Sequence, residues 1–504
     1  MRDLTLATTL TAFFLVGFSV SARPGIPREN IPARLPVTVR GELHKLYSED
    51  RSIRTAGAYR LAKWVNRYPS VRPYLAGMLH DSKPVAAWQL PDHPWAKITT
   101  SPGREAAKGL ADGRATDVLL EALRTGKTRG ARQNAAMALG MLGEKRAVPI
   151  MLQRIWNPGY HRALGRIGDP RAIGPMINEL GTNRAPEAAA GLRIMGPRAV
   201  PALTRALESE NHRTRSWAAD ILGRLKAQEA GGALLAAARE GSLEAAEALL
   251  RLDHLEGAEE VFRHKLGHAD WRWRKTALAG LIHLKAEVPA QSIIKRLSDA
   301  DNTVRGYAAR ATAALDVQSA RDELGGLLDD ESDFARQEAT EALALLGDER
   351  ALPAIRRILQ NGNVREKRRA AGWLRRIGTV ASLRLLAGLL GEPEIRETAA
   401  RELRSAGPEA ISAIKHWLVE LDTNEGISGK EKWDLASRGC GLLAHYNEAA
   451  IPTLIELLDR GWRIQIQAQL ALREITGKKF EGGWQKRTPE WKKWWQKRQN
   501  KDEE

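Results

Sequence analysis

The side chains best suited to covalent or metal chemistry are few and scattered in this 504-residue chain. Its one cysteine, Cys440, stands in Arg438-Gly439-Cys440-Gly441, so no disulfide can form within the chain. With no evident base nearby, it reads as a small core residue. The 11 histidines are spread along the sequence, and none belongs to a His-Glu-x-x-His zinc motif. Gly-x-Gly-x-x-Gly, Walker and Gly-x-Ser-x-Gly loops are also absent. The residues therefore predict no catalytic site, no metal and no cofactor. What remains is the chemistry of arginine and tryptophan, which is that of stacking, bidentate hydrogen bonding and association.

The arginines are placed by a repeat. The template Arg-x-x-Ala-x-x-x-Leu-x-x-Leu reads Arg274/Ala277/Leu281/Leu284, Arg305/Ala308/Thr312/Leu315, Arg336/Ala339/Leu343/Leu346 and Lys367/Ala370/Leu374/Ile377, each copy 31 residues after the last. Offsets 0, 3, 7 and 10 fall within a stripe about 80° wide at helical periodicity, so one face is buried and the other left free. A second apolar stripe precedes each copy, as in Ile293/Leu297, Leu324/Leu328, Ile355/Leu359 and Leu386/Leu390. One repeat is thus a helix pair too small for its own core, stable only when stacked on its neighbours. Further copies start at Arg54, Arg132, Arg215, Arg396 and Gln465, with degenerate ones around 163–167, 188–195, 245–252 and 438–445. The expectation is an all-α, right-handed α-solenoid of about a dozen pairs.

Across roughly residues 116–477 the chain resembles the HEAT-repeat family, in particular the short bacterial HEAT-like repeats also found in phycobilin lyases. Two features carry the resemblance. One is the helix-opening phrase Gly168-Asp169-Pro170-Arg171-Ala172-Ile173, repeated as Gly347-Asp348-Glu349-Arg350-Ala351-Leu352-Pro353 and Gly196-Pro197-Arg198-Ala199-Val200-Pro201. The other is an Asp six residues before the template Arg, as in Asp299/Arg305 and Asp330/Arg336. The resemblance implies an armadillo-type superhelix in which Asp299, Arg305, Asp330 and Arg336 form a hydrogen-bonded ladder between repeats. One HEAT-repeat enzyme, deoxyhypusine hydroxylase, holds iron on His-Glu dipeptides, and no histidine here is followed by glutamate. An enzyme resembling HEAT-like bilin lyases or HEAT-like DNA glycosylases is the alternative reading.

Residues 1–22 are of another kind. Leu4 to Val20 are apolar, follow Arg2 and end in Val20-Ser21-Ala22, the pattern of a cleaved secretory signal. Together with the single cysteine this predicts export to a bacterial periplasm or cell exterior, with no membrane span once the signal is removed. Retention of the segment as an uncleaved anchor is the other possibility. Residues 23–53 read as a Pro/Arg-rich strap, 54–79 as a first helix pair and 80–115 as a loop insertion containing Trp88 and Trp95. Residues 116–477 make the solenoid and 478–504 a Trp/Lys-rich cap, in which Trp491, Trp494 and Trp495 share one helix face. The formal net charge is +17, and residues 23–150 supply 22 Lys/Arg against 11 Asp/Glu. Such a field attracts anionic partners.

The reading is an exported, non-enzymatic scaffold. A protein is its expected partner, an anionic polymer or envelope surface a further one, and nucleic acid is not expected. The resemblance places the second helix of each pair on the concave side. Offsets near 2, 5 and 9 from the template Arg then mark its free face, where Trp217, Arg224, Tyr307, Arg310, Arg369, Arg376 and Arg401 are the candidate binding residues. Asp220, Glu338 and Glu341 interrupt that strip.

Overall fold

The computed structural model describes residues 24–90, 92–252 and 257–502. They fall into two compact units, one ending at Ala258 and the other beginning at Glu259. The signal-like segment and Pro91 of the 80–115 segment lie outside the described residues.

The first unit opens with the pairs α1 (Val37–Lys45) and α2 (Arg51–Trp64), α3 (Arg72–Met78) and α4 (Pro102–Asp112), and α5 (Thr116–Thr125) and α6 (Arg129–Leu142). Next come α7 (Ala147–Leu152) with α8 (Pro158–Ile167) and α9 (Ile173–Glu179) with α10 (Ala185–Met195). It ends with α11 (Val200–Ala206) and α12 (His212–Leu225), then α13 (Gly231–Arg239) and α14 (Leu243–Leu249). The even-numbered second helices pack on one another in sequence. At one such contact a Cβ on Gly165 would lie 2.2 Å from the Gly191 carbonyl oxygen, so α8 and α10 touch backbone to backbone.

The second unit repeats the plan. Its pairs are α15 (Ala258–Lys265) and α16 (Trp271–Leu284), α17 (Ala290–Leu297) and α18 (Asn302–Ala314), and α19 (Arg321–Gly326) and α20 (Asp333–Leu345). They continue with α21 (Leu352–Asn361) and α22 (Val364–Ile377), α23 (Val380–Gly388) and α24 (Arg396–Ala406). Then come α25 (Ala410–Thr423) and α26 (Gly429–His445), and α27 (Ile451–Leu457) and α28 (Trp462–Thr476), with α29 (Trp484–Asp502) behind them. Template residues Ala277, Leu281, Ala308, Ala339, Leu343, Ala370 and Leu374 are all 0% exposed. Each buried leucine contributes about 1.5–3 kcal/mol, and this apolar stripe holds the α-solenoid together. Seven pairs form in each unit among the described residues, where about a dozen in all were expected.

Three expected segments differ. Residues 80–115 are not one loop: β1 (Val85–Leu90) and β2 (His93–Thr100) pair antiparallel between α3 and α4. Ser101 then caps α4 by accepting from the Arg104 N–H, with Pro102 in the first turn, and α4 takes its place in the stack. Trp88 is 8% exposed and meets Tyr59 of α2 edge-on at 5.5 Å. The side chain of Trp95 lies outside the described residues. The strap expected at 23–53 is irregular, with a short 3-10 turn at Arg28–Asn30, and ends at Pro36, after which α1 begins, so the first pair is α1 with α2. The Tyr47 and Tyr74 hydroxyls hold that irregular part by donating to the carbonyls of Ile26 and Asn30, at 2.6 and 2.8 Å.

Candidate functional site

Three of the template arginines, Arg54, Arg274 and Arg305, are inter-repeat struts, whereas among the described residues Arg132, Arg215 and Arg396 bond only carbonyls five or six residues back. Arg305 donates Nη1 back to the Asp299 carbonyl at 2.9 Å, and sends Nε and Nη2 forward to the Asp330 carboxylate at 2.7 and 2.8 Å. Arg274 likewise binds the His268 carbonyl at 2.9 Å and the Asp299 carboxylate at 2.8 and 2.5 Å. Reaching six residues back and 25 forward, each guanidinium spans the 31-residue repeat. The Asp six residues before each Arg therefore meets it through the main chain, while its carboxylate is held by the preceding repeat. Arg305 holds the Asp330 carboxyl below the usual carboxylate range, against the opposing effect of burial. The chain of struts stops at Arg336. Nη1 still bonds the Asp330 carbonyl, but Asn361 occupies the forward position and Nη2 turns to Asp333. In the first unit Arg54, 4% exposed, repeats the motif by bonding Asp81 and the carbonyls of Ser48 and Glu49.

The candidate binding residues divide between the two units. In the first, Trp217 is half-buried, and Arg224 is committed to Asp220 at 2.7 Å on its own helix. In the second, Arg310 lies 5.1 Å from the Tyr307 ring centre and 5.9 Å from that of Phe334. Its Nε and Nη2 bind Glu338 of α20 at 2.9 and 2.6 Å. Phe334 rests on Gly306, where a Cβ would come within 2.3 Å of the ring. Tyr307, Arg310, Phe334 and Glu338 thus form one composite across α18 and α20. Arg369 and Arg376 are both exposed on α22. Arg369 lies 5.2 Å from the buried Trp373 ring, and Arg376 donates to the Leu345 carbonyl at the end of α20, 3.3 Å away. Arg401 is exposed on α24 and bonds Glu402 at 3.0 Å.

Sequence reasoning missed Phe334, Trp373 and the pair Trp433–Trp462, whose rings lie 5.9 Å apart with Arg463 4.4 Å over Trp462. Phe334 could have been found from its place two residues before a template Arg, on the same face as the offset-2 residues. The pair His264-x-x-x-His268 also stands in the sequence. His264 lies on α15, which ends at Lys265, while His268 beyond it lies 5.8 Å from Trp273 and accepts from the Asp270 N–H. Among the described residues no group of His, Cys, Asp or Glu is placed to hold a metal ion. Cys440 is 1% exposed, and burial pushes its thiol up to about 12, which leaves no thiolate for nucleophilic work at neutral pH.

Trp491 of α29 is 2% exposed and meets Phe480 and Trp494 edge-on at 4.8 and 5.6 Å. Trp494 and Trp495 are half-buried, with Lys478 and Arg498 about Trp494. Gln465 and Gln469 of α28 both donate to Thr488, and Lys492 pairs with Asp459, fixing α29 over the last helix pair. No helix among the described residues is long and apolar enough to cross a membrane.

The profile described as HEAT repeats matches residues 290–374, and that of the PBS lyase HEAT-like repeat matches residues 131–154. No curated protein sequence matches the chain. Among solved structures, Kap121p bound to Pho4p superposes with a TM-score of 0.50 at 13% identity, covering 83% of this chain and 55% of that one. Importin beta follows at 0.48 and 13% identity, covering 94% and 75% of the two chains. The complex of CpcE and CpcF of phycocyanin lyase from Nostoc sp. PCC7120 stands at 0.31 and 19%, covering 48% and 94%. The first of these shows the fold alone, and this chain spans 55% of its length.

Proposed function

This chain is a HEAT-repeat protein, and from that premise we propose that it is an exported, non-enzymatic scaffold that holds a protein partner on the free faces of its second helices. The observation that carries this reading is the pair of arginine–aromatic composites in the second unit, Arg310 over Tyr307 and Phe334 and Arg369 over Trp373. Aromatic and arginine side chains fixed together lose little entropy on binding and dominate measured protein interfaces. The buried Cys440 favours the scaffold over the enzyme alternative.

The test is a crosslinking pull-down from the native bacterial envelope at low and high salt, with N-terminal mass spectrometry of the recovered chain. The expected result is a chain starting at Arg23 that captures a defined protein. A soluble cytoplasmic form retaining Met1 would remove the export half of the proposal. A captured pigment or damaged DNA in place of a protein would favour the enzyme.

A further inference from the structure

Residues 352–391 hold nine Lys/Arg and a single carboxylate, Glu366. That carboxylate is already used, because Glu366 accepts from the Asn363 N–H at 2.9 Å in the capping box that starts α22. The strut position that would bring another acid here is Asn361. On α22 the charge is also ordered. Arg365, Gly372 and Arg376 fall with Arg369 at offsets 0, 7, 11 and 4, which places all four on one helix face. The three arginines are exposed, and Arg365 has no hydrogen-bond or ion-pair partner among the described residues. At Gly372 a Cβ would meet nothing within 4 Å, so the middle of the row is open. At ~1.5 Å rise per residue the row is about 16 Å long.

We infer that the arginine row of α22 is a seat for an extended, acidic peptide segment of the partner. This rests on the scaffold reading and adds the partner's chemistry to it. The row is one helix wide. The helices beside it carry acids, with the half-buried Glu341 on α20 and Glu402 on α24, the latter bonded to Arg375 and Arg401. A membrane plane or a nucleic-acid duplex laid on this face would meet those carboxylates as well as the arginines. A single extended chain would follow the row and avoid them. Alternate side chains of such a chain repeat at about 7 Å, close to the ~6 Å rise from Arg365 to Arg369. Arg369 is held over Trp373, which leaves the in-plane N–H groups of its guanidinium for a carboxylate. Arg376 is steadied by the Leu345 carbonyl.

The experiment is fluorescence anisotropy of the full mature chain with a labelled peptide alternating glutamate and serine over about a dozen residues, long enough at ~3.4 Å per residue to span the row. The triple variant Arg365→Gln, Arg369→Gln, Arg376→Gln is compared with Arg356→Gln, Arg357→Gln, Arg384→Gln, which removes equal charge from the first helices α21 and α23. The expected result is a loss of about tenfold or more for the first and less than about twofold for the second, with affinity falling as salt rises. Because Arg365 has no internal partner, Arg365→Gln alone should keep the fold and weaken binding by about threefold. Equal losses in both triple variants would overturn the proposal in favour of a diffuse field. Row-dependent binding of oligothymidylate or anionic vesicles as tight as that of the peptide would overturn the assignment to a peptide. A native partner captured equally well by wild type and row variant would leave the scaffold standing and sink this seat.

Discussion

Replacing Asp330 by alanine tests the strut most directly. Its carboxylate accepts Arg305 Nε and Nη2 at 2.7 and 2.8 Å and the Ser332 N–H at 2.9 Å, so the change removes a bidentate ion pair and a turn bond together. Side-chain exposures of 8% for Asp330 and 12% for Arg305 mean that solvent screens the pair little. A hydrogen bond to a charged group contributes about 1.5–3 kcal/mol, and stripping one partner from a buried pair costs about 3–5 kcal/mol. Arg305 keeps the Asp299 carbonyl and a 3.4 Å contact with the exposed Glu331, which places the expected loss near 3 kcal/mol. Asp330→Asn keeps an acceptor for the Ser332 N–H and should cost about half as much. Nature offers the comparison one repeat later, where Asn361 stands at the same place and Arg336 turns away to Asp333. The assay is denaturant unfolding of wild type, Asp330→Ala, Arg305→Ala and the double variant, combined with hydrogen exchange. The cycle should give a coupling of about 1–3 kcal/mol, and exchange should quicken in α18 and α20 while α26 and α28 keep their protection, because solenoid stability is local. A loss below about 0.5 kcal/mol, the scale of an ordinary surface change, would refute the strut argument.

The cap gives a second prediction. Trp491→Ala should cost about 3–5 kcal/mol locally and speed hydrogen exchange in α27 and α28, since Trp491 is 2% exposed between Phe480 and Trp494; unchanged exchange there would show that it bears no load. A third concerns pH. Arg171 holds the Asp169 carboxyl down at about 2, below the ordinary value of about 3.9, so its contribution is complete above pH ~4 and is lost as pH falls through ~2. Urea midpoints along an acid series should fall over that window, less steeply for Asp169→Asn; identical slopes would mean that the pair does not couple to folding. Last, the Cys440 thiol, buried and raised to about 12, should resist an aromatic disulfide reagent at pH ~8 until denaturant is added, and prompt reaction of the native protein would contradict its burial.

The helical repeat was legible because it is a one-dimensional signal. Ala277, Leu281, Ala339 and Leu343 recur at a helical spacing, and burying that stripe requires only the neighbouring repeat. The hairpin at 85–100 was not legible. Its prolines mark breaks, but its stability comes from Trp88 against Tyr59, a residue of α2 whose closeness is a tertiary fact. Likewise α4 looked like loop, because Pro102 and Gly103 depress helix propensity while the stack beside α2 and Ser101 at the cap enforce it.

For the candidate site the division is sharper. Helical periodicity alone put Arg369 and Arg376 on one exposed face, and Tyr307 and Arg310 on another. Which guanidiniums are free was decided by neighbours about one repeat away: Arg305 is taken by Asp330 and Arg310 by Glu338, while Arg365 is left open. The sequence by itself determined that these helices form and which way each must face, since a 3.6-residue period and an apolar stripe leave one solution. The tertiary structure alone decided which charges are spent on holding repeats together and which, like Arg365, remain exposed. That depends on pair distances of about 3 Å between residues some 25 positions apart, and such distances exist only once the repeats have stacked.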